Sequence, residues 1–125
     1  MTEAFFDTTV LIDALNRWPQ APAELKRYDR HLISRVVWIE VLAGTKPENR
    51  DGTLEFLKRF ETIELDAEIG QLAADFRQRT RVKLPDAVIW ATAHRHSILL
   101  VTRNSKDFPA TMPGIRIPYI IESKA

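Results

Sequence analysis

Short apolar runs alternate along this chain with longer segments of helical spacing, and the alternation predicts an α/β fold. The runs at 3–7 and 97–102 are too short for helices and have the character of buried strands, the second being the stronger. Segments 31–34, 62–65 and 115–117 predict three shorter strands. Strands that alternate with helices indicate a mostly parallel sheet covered on both sides. We therefore expect one domain, residues 1–125, of the three-layer α/β/α class.

Helix signals occupy the segments between the predicted strands. Thr8 or Thr9 is suited to cap a first helix that reaches 15 or 16, and prolines 19 and 22 interrupt the chain before a second helix over 24–28. A third helix runs from 35 to a C-cap at Gly44, and a fourth starts at Pro47 and continues through 60. Asp66 is expected to cap a fifth helix, and a sixth covers 86–96.

The amino-acid composition excludes few classes of protein. The 18 basic and 17 acidic residues give a net charge of +1, so any surface that binds nucleic acid must be local. The absence of cysteine excludes disulfides and thiolate zinc sites, and it fits a cytoplasmic location. No apolar run is long enough to span a membrane, and the N-terminus lacks the basic start of a signal peptide.

Asp7 is the first candidate for chemistry. It stands where the first strand ends and a helix begins, which is where open α/β sheets place ligand-binding groups. We interpret Asp7 as the first ligand of a divalent metal, and the chain offers three possible partners.

Three further acids occupy unusual positions. Glu40 shares an otherwise apolar helix face with Val37 and Val41, where a buried salt bridge or an edge position is the structural alternative. Asp86 heads another apolar face, although an aspartate in the first turn also stabilises a helix. Asp107 follows the strongest strand as Asp7 follows the first, although a loop aspartate before Phe108 and Pro109 is more often a turn residue or a cap.

The four acids together suggest a metal site. Converging carboxylates repel one another, so one would be protonated unless a cation is bound. A site made only of carboxylate oxygens suits Mg²⁺ or Mn²⁺, whereas the three histidines form no zinc motif. We expect one or two such ions.

Four segments of this chain resemble the PIN-domain family, and within it the small VapC-type toxins of bacterial toxin–antitoxin pairs. They are FDTTVLI at 6–12, ISRVVWIEVLAG at 33–44, LPDAVIWATA at 84–93 and LVTRNSKDF at 100–108. Their order is that of the family. The acidic positions of the family fall on the four acids already selected, and its supporting hydroxyl and amide positions fall on Thr8, Thr102 and Asn104.

The resemblance implies a metal-dependent endoribonuclease with a PIN-like fold. It would hydrolyse RNA through an activated water and leave 5′-phosphate and 3′-hydroxyl ends. It would also pair with an antitoxin protein, and a homodimer is expected. Basic residues flanking the acidic motifs are candidates for binding the RNA backbone: Arg35, Lys83, Arg103 and Lys106.

Two other protein classes also begin with a strand that ends in aspartate, but the residues of this chain fit them less well. An aspartyl-phosphate phosphatase needs a second aspartate where Thr9 stands, and a receiver domain usually has paired acids after its first strand. A PIN-like module that binds RNA or protein without cleaving it stays open as the alternative. Such a module has no need for the complete acidic set.

Overall fold

The computed structural model describes residues 2–108 and 112–121. Five parallel strands form a single sheet in the order β3-β2-β1-β4-β5. They are β1 (Glu3–Phe6), β2 (Arg30–Ser34), β3 (Glu61–Ile63), β4 (Leu100–Val101) and β5 (Ile115–Arg116). The described α-helices are α1 (Thr8–Leu15), α2 (Gln20–Leu25), α3 (Arg35–Ala43), α4 (Arg50–Leu57), α5 (Ala67–Arg79) and α6 (Leu84–Arg95), with a 3₁₀ turn at Pro47–Asn49. The predicted three-layer α/β/α class is confirmed.

The strand order creates a switch point beside β1. The chain builds outward from β1 through β2 to β3, and then returns to place β4 on the other side of β1. Connections therefore leave β1 and β4 in opposite directions, which opens a crevice at the carboxyl ends of these two strands. Asp7 follows β1 and Thr102 follows β4, so both lie at this crevice.

Large apolar side chains of the strands form the core between the sheet and the helices. Phe5, Phe6, Ile33 and Leu100 are all 0–1% exposed. Trp90 of α6 stacks on Phe76 of α5 with ring centroids 3.8 Å apart, which joins these two helices. None of the helices in the described part of the chain has the length and hydrophobicity needed to cross a bilayer.

Two predicted strands differ from the structure. The predicted strand 97–102 is reduced to Leu100–Val101, because residues 97 and 98 instead close the end of α6 with bonds from their N–H groups to the carbonyls of His94 and Ala93. Ser97 has φ 55°, which turns the chain out of the helix. The predicted strand 62–65 lies instead at Glu61–Ile63.

Two predicted helices also have different limits. The second helix covers 20–25 rather than 24–28, because Pro22 lies in its first turn, where its missing N–H costs no hydrogen bond. The fourth helix ends at Leu57, and Phe60 lies beyond it.

The caps of the helices follow the predictions in part. Asp66 caps α5 by accepting a bond from the N–H of Ile69 at 2.8 Å, as predicted. The N-cap of α1 is Asp7 itself rather than Thr8 or Thr9. The two threonine hydroxyls are thereby free to serve carboxylates, and both do so.

Candidate metal centre

Asp7 is the most deeply buried of the four acids. Asp7 is 2% exposed, and its Oδ2 accepts hydrogen bonds from the hydroxyls of Thr102 at 2.8 Å and Thr9 at 3.0 Å. Burial raises the pKa of Asp7 above its ordinary value, while the bonds from Thr102 and Thr9 oppose that shift. The carboxylate is thus held in place by two neutral donors, Thr102 directly after β4 and Thr9 in the first turn of α1.

Glu40 lies on α3 beside the start of α1. Its Oε1 accepts a 2.6 Å bond from the hydroxyl of Thr8, the residue directly after Asp7. Glu40 is half-buried, so the fully apolar setting inferred from its helix face is only partly realised. The alternative of a salt bridge does not apply, since no ion pair to Glu40 occurs among residues 2–108 and 112–121.

Asp86 occupies the first turn of α6 and is half-buried. Burial, together with the negative charges of Asp7, Asp107 and Glu40, raises the pKa of Asp86 from 3.8 to about 7. Each of the other three acids contributes to this shift, so the carboxylates influence one another across the crevice. Its position in the first turn of α6 also suits the helix dipole, so the structural role of Asp86 and its interaction with the other acids are compatible.

Asp107 is held by the loop that follows β4. Asn104 Nδ2 donates to Asp107 Oδ2 at 2.9 Å, and the N–H of Asp107 donates to Asn104 Oδ1 at 3.2 Å. This reciprocal pair makes Asp107 a turn residue as well as a neighbour of Asp86. The two interpretations of Asp107 are therefore compatible.

The three supporting residues each contact one of the acids. Thr8 donates to Glu40, Thr102 to Asp7 and Asn104 to Asp107. Within the described ranges, no three acidic or histidine side chains already stand in an arrangement that would enclose a metal ion. The acids interact across the crevice without forming a closed cage. Their donor atoms are all oxygens, which fits a hard divalent ion that completes its shell with water.

Two of the four candidate RNA-binding residues are engaged elsewhere. Arg35 binds Glu64, with 2.9 Å between Nε and Oε1, and its guanidinium lies 4.8 Å from the ring centroid of Trp38. Arg103 binds Asp13 on α1. Lys83 and Lys106 are exposed near Asp86 and Asp107 in the sequence. Contact of any of the four with RNA stays a prediction.

Sequence reasoning missed three residues that contribute to the site. Thr9 donates to Asp7, and its Oγ1 also accepts from the N–H of Arg103 at 3.1 Å. Asp13 is 2% exposed and binds both Arg103 and the hydroxyl of Tyr119. The signal for Asp13 was the one used for Glu40, an acid on the apolar face of a helix, three residues after the buried Val10. No sequence signal pointed to Tyr119.

Comparison with known proteins agrees with this architecture. The family model described as "PIN domain" matches residues 4–111. Among curated proteins, no significant match is found. Similar solved structures include a chain of a toxin–antitoxin complex from Klebsiella pneumoniae, with 38% identity, a TM-score of 0.89, and coverage of 94% of this chain and 99% of the other.

Two more distant structures share the fold. A chain of DNA-bound VapBC from Salmonella typhimurium has 26% identity and a TM-score of 0.73, with coverage of 93% of this chain and 96% of the other. A chain of VapBC2 from Rickettsia felis, bound to a DNA fragment from its promoter, has 23% identity and a TM-score of 0.77, with coverage of 91% and 96%. The switch-point crevice, the family model that matches 4–111 and the relative at 38% identity agree, and this chain belongs to the PIN-domain family, as a protein of the VapC type.

Proposed function

We propose that this chain is an endoribonuclease that uses Mg²⁺ or Mn²⁺ and serves as the toxin of a toxin–antitoxin pair. The observation that carries the proposal is the convergence of four carboxylates at the crevice: Asp7, Asp107 and Glu40 lie close enough to Asp86 to raise its pKa, and no salt bridge joins any of the four to an arginine or lysine in the part of the chain that the structure describes. Charge repulsion of this kind lowers stability, and a divalent cation relieves it. A protein has little reason to keep such a cluster for structure alone.

The four acids would have different roles in binding the metal ion. Asp7, Glu40 and Asp86 would hold the ion, and Asp107 would complete the set or orient a water. When bound, the ion neutralises phosphate charge and lowers the pKa of a water, so that hydrolysis leaves 5′-phosphate and 3′-hydroxyl ends. In the metal-free protein the pKa of Asp86 is raised to about 7, and binding of the ion would keep this carboxylate ionised.

The hydroxyls and the amide around the acids keep them oriented. Thr102 and Thr9 fix Asp7, Thr8 fixes Glu40, and Asn104 fixes Asp107. Such partners of metal ligands generally affect affinity and activity almost as strongly as the ligands do. RNA would be held at the rim by Lys83 and Lys106 through backbone phosphates, which gives affinity rather than sequence selection.

Cleavage of labelled RNA tests the proposal. We expect Mg²⁺-dependent degradation that EDTA abolishes, that restored Mg²⁺ recovers, and that Asp7→Asn eliminates. Asp75→Asn on α5 is the matched control, since it removes an exposed carboxylate that is not one of the four acids. RNA binding by wild type without any cleavage would instead support the alternative, a PIN-like module that binds without cutting. Cleavage that persists in EDTA would refute the metal-dependent mechanism.

We also propose an antitoxin partner and a homodimer. The relative from Klebsiella pneumoniae comes from a toxin–antitoxin complex. Two grooves on this chain carry exposed apolar side chains that partners could cover. Ile12 and Leu15 of α1 line a groove of about 790 Å³ that borders α3 and α4, and Leu65 and Leu84 line another of about 520 Å³ beside α5 and α6.

We assign the first groove to the antitoxin, because α1 and α3, which line it, follow Asp7 and carry Glu40 respectively. We assign the second groove to the dimer. Sedimentation tests the assignment. Leu84→Glu should produce monomers, whereas Leu15→Glu should stay dimeric and lose affinity for the antitoxin. A Leu84→Glu variant that stays dimeric would contradict it.

A further inference from the structure

Arg103 joins the loop after β4 to helix α1 through a bidentate ion pair. Its Nε lies 2.6 Å from Asp13 Oδ2, and its Nη2 lies 3.0 Å from Asp13 Oδ1. The hydroxyl of Tyr119 donates to Asp13 Oδ2 at 2.9 Å, so two side chains from the C-terminal part of the chain meet on one carboxylate. The side chains of Asp13 and Arg103 are only 3% and 29% exposed, so the pair is partly withdrawn from water.

The loop that Arg103 anchors carries much of the site. Strand β4 ends at Val101, and the following residues up to Asp107 lie in no helix or strand. Thr102 from this loop donates to Asp7 and accepts from the N–H of Asn104 at 3.0 Å, and Asn104 in turn holds Asp107. A small displacement of the loop would therefore move the hydrogen-bond donors that hold Asp7 and Asp107.

Arg103 also connects to Asp7 by its backbone. Its N–H donates to Thr9 Oγ1 at 3.1 Å, and Thr9 donates to Asp7 Oδ2 at 3.0 Å. The side chain fixes the loop to one end of α1 and the main chain fixes it to the first turn of the same helix. Together these contacts define the position of residues 102–107 relative to β1.

We propose that Arg103 is a positioning residue, whose ion pair with Asp13 holds segment 102–107 against α1 so that Thr102, Asn104 and Asp107 stay in register with Asp7. The inference rests on the proposed nuclease function. It replaces the sequence-based assignment of Arg103 to the RNA backbone, because Nε and Nη2 of the guanidinium are both directed at Asp13. Freeing them would leave a buried carboxylate without its cation.

Asp13→Asn separates positioning from phosphate binding, because Asp13 is buried and cannot contact RNA. We expect Asp13→Asn and Arg103→Gln each to lower kcat by roughly 10- to 100-fold with KM unchanged, and to weaken Mn²⁺ binding by a similar factor in calorimetry. The double variant should be no worse than the poorer single variant. All measurements are made well below the melting midpoint of each variant, so loss of folded protein does not contribute.

The salt dependence of RNA binding gives an independent readout. Arg103→Gln should leave the slope of log K against log [salt] unchanged, whereas removal of a phosphate contact reduces it by about 1. Lys106→Gln, three residues away and exposed, is the control expected to reduce that slope. If Arg103→Gln prevents folding, Tyr119→Phe is the milder variant, and it should lower kcat and Mn²⁺ affinity in the same direction.

Each outcome supports or overturns the inference. Wild-type kcat and Mn²⁺ affinity in folded Asp13→Asn, or a reduced salt slope in Arg103→Gln, would overturn it. If the wild-type protein cleaves no RNA, the proposed function fails, but the comparison of Mn²⁺ affinities still decides the positioning role. If the wild-type protein binds no Mn²⁺, both proposals fail.

Discussion

Replacing Asp86 by asparagine should stabilise the metal-free protein. The shift of its pKa from 3.8 to about 7 means that the folded protein binds a proton more tightly than the unfolded chain. Between pH 3.8 and about pH 7 the folded state binds more protons than the unfolded chain, so the free energy of unfolding falls as the pH rises. Above about pH 7 the loss of stability due to the ionised Asp86 is complete. Asparagine has nearly the same shape as aspartate but carries no charge, so the substitution removes the repulsion without changing the packing.

The size of the effect follows from the same shift. At 1.36 kcal/mol for each tenfold change in proton affinity, an upper limit is about 4 kcal/mol. Because Asp86 is only partly buried, screening by solvent reduces the expected gain to about 1 to 2 kcal/mol at pH 8. In a domain of this size that corresponds to a melting midpoint higher by about 3 to 8 °C.

The assay is thermal melting in EDTA at pH 5 and pH 8, repeated with Mn²⁺. The wild-type midpoint should fall between pH 5 and 8 and recover with Mn²⁺, whereas Asp86→Asn should show a smaller fall and little response to the ion. Asp75→Asn is the control for removal of an exposed acid. If Asp86→Asn is no more stable than Asp75→Asn at pH 8, the carboxylates do not repel one another as argued.

Other substitutions test the surroundings of the acids. Thr102→Val should lower the free energy of unfolding by about 1 to 2 kcal/mol in thermal melting, because it leaves the N–H of Asn104 without its acceptor. It should also weaken Mn²⁺ binding by roughly 10-fold in calorimetry, because Asp7 loses a hydrogen bond. Thr102→Ser should preserve both the stability and the Mn²⁺ affinity. Ser34→Ala removes the bond to the N–H of Val37 that caps α3 and should cost about 1 kcal/mol in melting, with Mn²⁺ affinity retained. Lys83→Gln should reduce the salt slope of RNA binding by about 1 in filter binding while leaving Mn²⁺ affinity unchanged; an unchanged slope would remove Lys83 from the RNA surface.

Local patterns were sufficient to predict the layers and to select four acids that the structure brings near one another. Apolar runs predicted the sheet, and positions at strand ends or on apolar helix faces pointed to Asp7, Glu40, Asp86 and Asp107. Such positions are informative because burial of a charge is costly. The role of the four acids in metal binding stays a prediction. The strand at 97–102 was overestimated because the closure of α6 competes for residues 97 and 98, and hydrophobicity does not report that competition.

Contacts between distant parts of the chain could not be predicted in the same way. Arg103 and Asp13 are 90 residues apart, and Tyr119 is 106 residues from Asp13. Nothing in the local sequence of Arg103 distinguishes an ion pair inside the protein from a phosphate contact at its surface. The distinction depends on how β4 returns beside β1, which is a property of the sheet topology.

The most direct test of the central claim is a crystal structure after soaking in Mn²⁺, with data collected for the anomalous signal of the metal. We predict an anomalous peak in the crevice at the carboxyl ends of β1 and β4, coordinated directly or through water by Asp7, Glu40 and Asp86, and absent in Asp7→Asn. A peak bound elsewhere, or an empty crevice in crystals of protein that cleaves RNA, would contradict the account.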